Sequence, residues 1–224
     1  MNDNALIALE LVKTLQEFAE IEGRRLPVQP EQVPLARVFE DLGAMTESLI
    51  AGRPVEFRTA IAAGAESPIT DRAALHRILA NLLSNAAKFT QRGTIELAAQ
   101  ANGAEIAISV RDTGLGIEPG ELAHVFEPFY RGATRPASEM HGVGLGLSIA
   151  HELAKLLGGR IDVESAPGAG STFRLLLPAN GPAAAATPPT ANGQPPAEPS
   201  VDSAVVLLIG DDDRCRMHSP ANRA

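Results

Sequence analysis

A chain of 224 residues, 45% of them apolar, is long enough to bury a real core, which excludes disorder throughout. The formal net charge of −8, the scattered basic residues, a single tyrosine and no tryptophan argue against a nucleic-acid-binding surface. One cysteine, Cys215, excludes an internal disulfide framework, and no apolar run approaches the roughly 18 residues that suggest a membrane span.

The opening "MNDNALIALELVK" lacks the basic flank and cleavage pattern of a signal peptide, so a soluble, cytoplasmic chain is expected. Within residues 5 to 22, Ala8, Leu11, Leu15 and Phe18 recur at spacings of three and four, a seam that suits a helix packing on its own domain or on a second copy. A second helix is predicted over residues 35 to 50, and "PVEFRTAIA" after it alternates as a half-buried strand. Asp71 is the predicted N-cap of the most regular helix, whose apolar face is Leu75, Ile78, Leu79, Leu82, Leu83 and Ala86. On an adjoining face Asn81, Asn85 and Lys88 stand at i, i+4 and i+7, pointing one way at the edge of a core.

"TIELAAQA" and "EIAISVRD" alternate and are joined through "NG", a hairpin signal, so "DTGLGI" begins where a strand ends. Residues 118 to 141 form a long connection with a short helical piece around "PGELAHVF". "GVGLGLSIAHELAKLLGG" is a glycine turn running into an amphipathic helix, and "RIDVES" and "STFRLLL" are two closing strands. Several adjacent strands with long helices predict an α+β fold, a two-layer sandwich with helices on one sheet face. From residue 179 to 203 the composition turns to Ala, Pro, Gly and Thr, as in a flexible linker; "AVVLLIGDDD" then reads as a strand ending in acidic residues, or as an acidic tail.

Backbone N–H groups at the glycine turn of Gly142, Gly144 and Gly146 can approach phosphate oxygens, and the N-terminus of the following helix favours negative charge. The surroundings fit neither a dinucleotide βαβ unit nor a P-loop, since the acidic partner and the loop lysine are missing. The asparagines supply neutral oxygens of the kind that help hold magnesium beside phosphates and water, and Lys88 can neutralise phosphate charge.

"NLLSNAAKFT", "DTGLGI", "FEPFYRG", "GVGLGLSIA" and "GSTFRLLLP", in that order, resemble the asparagine box, first glycine box, phenylalanine box, second glycine box and terminal glycine-threonine box of the sensor histidine kinase ATP-binding domain. The resemblance covers residues 26 to 178. It implies a Bergerat-type fold holding ATP and Mg2+ under a mobile lid at residues 131 to 141. It further implies that Asp112 accepts a hydrogen bond from the adenine amino group, while Gly114 and Gly116 let the chain pass close to the base. Asn85 would hold magnesium with Asn81 beside it, and Lys88 and Tyr130 or Arg131 would approach the phosphates or ribose. Gly142, Gly144 and Gly146 would cradle the phosphate chain, and Thr172 would lie by the adenine.

The same fold serves other ATPases and serine kinases, in which the first position of the N-x-x-x-N helix motif is typically a glutamate base. Asn81 stands there and cannot take a proton, which favours transfer to a histidine, whose neutral imidazole is already a nucleophile. The expected enzyme is a protein-histidine kinase of a two-component phosphorelay; the alternatives are a catalytically silent nucleotide-binding module and a free ATPase. The partners implied are a histidine-containing dimerisation domain, a response regulator receiver, and a second copy through the N-terminal helix. No acceptor-histidine box followed by Thr-Pro occurs: His151, in "HELAK", follows the second glycine box instead, and His76, His124, His141 and His218 carry no such pattern. Residues 1 to 25 resemble only the end of a dimerisation helix, and residues 204 to 224 the first strand of a receiver, with Asp211 and Asp212 as its acidic pair. With the tail taken as a receiver strand, the expectation is a hybrid kinase fragment trimmed at both ends; the alternative is a disordered acidic tail.

Overall fold

Asp71 starts the helix around which the rest is arranged. Its backbone is extended (φ −81°, ψ 117°) and its Oδ1 accepts the Ala74 N–H at 2.9 Å, so one of the orphan donors at the helix start is satisfied. In a computed structural model the protein is described over residues 27–132 and 144–181. The expected N-terminal helix, Gly142 and His141, most of the expected lid, the expected linker, and the C-terminal residues with Asp211, Asp212, Cys215 and His218 lie outside the described residues.

The helices are α1 (Leu35–Ile50), α2 (Arg72–Phe89), the single turn α3 (Pro119–Leu122) and α4 (Gly146–Leu156). The strands are β1 (Glu31–Gln32), β2 (Val55–Ile61), β3 (Ile69–Thr70), β4 (Gly93–Asn102), β5 (Glu105–Asp112), β6 (Arg160–Ala166) and β7 (Gly170–Pro178). Five of them form one sheet in the order β2-β4-β5-β7-β6, with β2 and β4 parallel and the other pairs antiparallel. A parallel pair needs a long crossover, and α2 supplies it between β2 and β4. β1 and β3 make a separate two-residue ribbon.

α2 packs against both α1 and α4. Its Leu75, Ile78, Leu79, Leu82 and Leu83 are buried together with Leu35, Val38 and Leu42 of α1, Ile149 and Leu153 of α4, and the inward row of the sheet, Ile95, Leu97, Ile108, Val110, Phe173 and Leu175. Period-two alternation leaves the other sheet face to Glu96, Arg111, Glu164 and Arg174. There Arg160 pairs with Glu105 at 2.7 Å and Arg174 with Glu164 at 3.2 Å, surface pairs that add little to stability. The fold is the expected two-layer α+β sandwich. Its hairpin turn sits one residue on from the sequence signal: Asn102 still pairs with Glu105, so Gly103 (φ 62°) and Ala104 make the turn. Among the described residues no helix is long and apolar enough to cross a membrane.

Candidate functional site

One face of α2 becomes the floor of a cleft of about 420 Å³ because it is the adjoining face that is packed into the core. Asn81, Asn85 and Lys88, the triplet picked out by its spacing, line this floor together with Arg77, one turn earlier. Each of the four is half-buried. The far walls come from the end of β5 and its turn, from the segment after α3, from the start of α4, and from β7.

Asp112 is the last residue of β5 and only 6% exposed, a carboxylate placed at the inner edge of the sheet. Its Oδ1 accepts the Gly114 N–H at 2.8 Å, which fixes the side chain against its own turn. The turn is held in turn against the end of α2, where the Phe89 carbonyl accepts the Leu115 N–H at 3.3 Å. Gly116 lines the cleft with φ 71°, and any Cβ there would collide with the Ala166 carbonyl oxygen, so this position needs glycine twice over. Gly114 is not among the lining residues; its close approach is to the Phe89 carbonyl, beneath the turn.

The opposite end of the cleft is a helix start. Gly144 has φ 79° and lies against the backbone of Phe129 and Tyr130, and the Phe129 N–H donates to the Gly144 carbonyl at 3.0 Å. α4 then begins at Gly146 with no side-chain cap, and Gly144, Leu145, Gly146 and Leu147 all line the cleft. Uncapped N–H groups and the positive end of the helix dipole make this a place for an anion. A Cβ on Gly146 would stand 3.2 Å from Asn81 Oδ1, so the asparagine and the glycine turn are in near contact. Tyr130 and Arg131 enter from the segment after α3, and Glu121 lies beside Gly132.

Of the expected site residues described, Asn81, Asn85, Lys88, Asp112, Gly116, Tyr130, Arg131, Gly144 and Gly146 meet around one cleft. Thr172 does not. Its neighbours Ser171 and Phe173 line the cleft, and strand alternation sends Thr172 to the open sheet face, opposite Arg111 and Glu164. The sequence reading missed Arg77, Glu121 and Ser171; only Arg77, four residues before Asn81, had a spacing that could have revealed it. As for magnesium, no group of three or more histidines, cysteines or carboxylates gathers among the described residues. The cleft does offer the amide oxygens of Asn81 and Asn85, which with a ligand's own oxygens and water make a hard oxygen set that suits Mg2+.

His151 lies in α4, half-buried, its ring stacked on Phe126 with centroids 4.7 Å apart, and its Nδ1 is buried without a hydrogen-bond partner. Burial lowers its pKa from the usual imidazole value, helped by Lys155 and opposed by Glu152.

A family model described as histidine kinase-, DNA gyrase B- and HSP90-like ATPase matches residues 70–181, half of the chain. Sensor histidine kinase RcsC of Escherichia coli (strain K12) is 32% identical over 182 residues, covering 81% of this chain and 19% of that protein. Virulence sensor protein BvgS of Bordetella bronchiseptica is 34% identical over 219 residues, covering 93% of this chain and 18% of that protein. The chain thus spans about a fifth of the length of these relatives. Among solved structures, full-length ShkA in complex with AMPPNP superposes with a TM-score of 0.70 at 28% identity, covering 79% of this chain and 37% of that one.

Proposed function

The chain belongs to the histidine kinase-, DNA gyrase B- and HSP90-like ATPase family and carries an ATP-binding domain of the sensor histidine kinase type; from that premise we propose that it binds Mg-ATP and transfers the γ-phosphoryl group to a histidine of a dimerisation domain. The observation that carries this reading is the convergence on one cleft of Asp112 from a strand end, Asn81, Asn85 and Lys88 from a helix face, and the glycine turn of Gly144 and Gly146. That ShkA was crystallised with AMPPNP, a non-hydrolysable ATP analogue, supports a nucleotide as the occupant.

In this reading Asp112 accepts the adenine amino N–H, held ready by its bond to Gly114. The base lies toward Phe89, and the phosphates run along α2 toward the uncapped start of α4, whose N–H groups meet their oxygens. Asn85 would offer an amide oxygen to Mg2+, which when bound would neutralise phosphate charge. Asn81, against Gly146, positions the terminal group; Tyr130 and Arg131 close in from the opposite wall. In the transfer the bond from the γ-phosphorus to the β–γ bridging oxygen breaks, a P–N bond to the acceptor imidazole forms, ADP leaves, and the imidazole N–H proton passes to solvent. No residue need abstract a proton in advance, so an amide at position 81 suffices where a hydrolase would need a carboxylate. A response regulator receiver would then take the phosphoryl group from the histidine.

Calorimetric titration with Mg-ATP, followed by incubation of labelled ATP with a supplied histidine-bearing dimerisation domain, tests this directly. Saturable binding and an acid-labile label on the domain are expected, with the label lost in Asn81→Ala. No binding at millimolar nucleotide would sink the proposal; binding with no label on the acceptor would reduce it to a nucleotide-binding module.

A further inference from the structure

Arg77 is a charged residue of α2 that lines the cleft and that the asparagine-helix pattern does not include. It follows the same face as Asn81, Asn85 and Lys88, at i−4 from Asn81, and it lines the same cleft. Helical rise puts it about 6 Å beyond Asn81 and about 18 Å from Phe89 along the α2 axis. Phe89 marks one end of the cleft, since its carbonyl holds the turn that follows Asp112. Asn81 marks the crossing with the glycine turn, through its near contact with Gly146. Arg77 therefore lies past the glycine turn, on the side away from Asp112.

Lys88 is poorly placed to serve that end. It sits one residue from Phe89, with its ammonium 5.0 Å from that ring's centroid, so its charge is committed near the Asp112 end. A nucleotide whose base sits at Asp112 and whose phosphates pass the α4 N-terminus carries its last and most charged group toward Arg77. A guanidinium is always charged and offers a planar fork of donors that fits two oxygens of one phosphate. We propose that Arg77 reads the terminal phosphate, binding the γ-phosphoryl oxygens and making the site prefer a nucleoside triphosphate to a diphosphate. This rests on the ATP-binding reading above and adds to it a residue that distinguishes substrate from product.

ATP and ADP affinities, each measured by calorimetry with Mg2+ for the unaltered chain, Arg77→Gln and Arg77→Lys, test the assignment, with nucleotide-free thermal unfolding as the control for folding. The expected result is a loss of about tenfold in ATP affinity for Arg77→Gln with ADP affinity unchanged, and a smaller loss for Arg77→Lys. An unchanged ratio of ATP to ADP affinity in Arg77→Gln, whether both stay or both fall, overturns it. An unaltered chain that binds neither nucleotide overturns the underlying ATP reading as well, and is thereby distinguished from a failure of Arg77 alone.

Discussion

Asp112 shows what a single residue can and cannot reveal before the fold is known. Its place at a strand end, two residues before a glycine, was legible from alternation in "EIAISVRD", and its expected role came from the order of the boxes around it. What periodicity could not supply was the Gly114 N–H that fixes its Oδ1, a bond of 2.8 Å made within the turn. Asp112→Asn keeps an acceptor for that N–H and replaces a carboxylate oxygen by a donor, so it removes the acceptor that an adenine amino group needs. The expected cost is that of a hydrogen bond to a charged group, about 1.5–3 kcal/mol, or one to two orders of magnitude in Kd for ATP. Calorimetry of the variant checks this, and unchanged affinity would move the base elsewhere in the cleft. Thr172 illustrates the opposite case. A box places a residue in sequence, whereas parity decides which sheet face it takes, and Ser171 and Phe173 took the inner one.

Among elements, α1 and α2 were readable because each runs for several turns with one apolar face, and Asp71 caps α2 as its position before "RAALHRIL" implies. The β1–β3 ribbon was not, since two-residue strands have no period to detect. A tertiary device also escaped: Arg53, in the loop between α1 and β2, joins the carbonyl ends of both helices. Its Nη1 donates to the Ala87 carbonyl at 2.7 Å and the Thr90 carbonyl at 3.2 Å, and its Nη2 to the Leu49 carbonyl at 2.6 Å. These are orphan acceptors at helix C-termini, where a cation is doubly favourable. Arg53→Met keeps the aliphatic stem and deletes all three bonds. Stability should fall by about 2 kcal/mol, read as a lower urea midpoint at unchanged m. The end of α2 also holds the Asp112 turn through Phe89, so ATP affinity should drop with it; a variant as stable as the parent would show the three bonds to be replaceable by water.

For the molecule as a whole, the two-layer class could be read from the mixture of strands and helices, but the parallel β2–β4 pair and the strand order depend on contacts far apart in sequence. The same holds for the knot of rings that ties the layers together beside the cleft. Phe126, just after α3, stacks on His151 of α4 and meets Phe173 of β7 edge-on at 6.4 Å, so one cluster joins the segment leading to Tyr130 and Arg131, a helix and the sheet. His151 makes this junction sensitive to pH. Desolvation holds its folded pKa below the unfolded value of about 6.5. The folded state then binds fewer protons than the unfolded one, so the contribution of His151 is fully present above the unfolded value. It is lost as pH falls toward the folded one. Urea midpoints measured between about pH 7.5 and about pH 5.5 should therefore decline, and the decline should be shallower in His151→Phe, which keeps a ring to stack on Phe126 but cannot take a proton. Parallel profiles for the two proteins would mean that the imidazole titrates alike folded and unfolded, leaving the junction to packing alone.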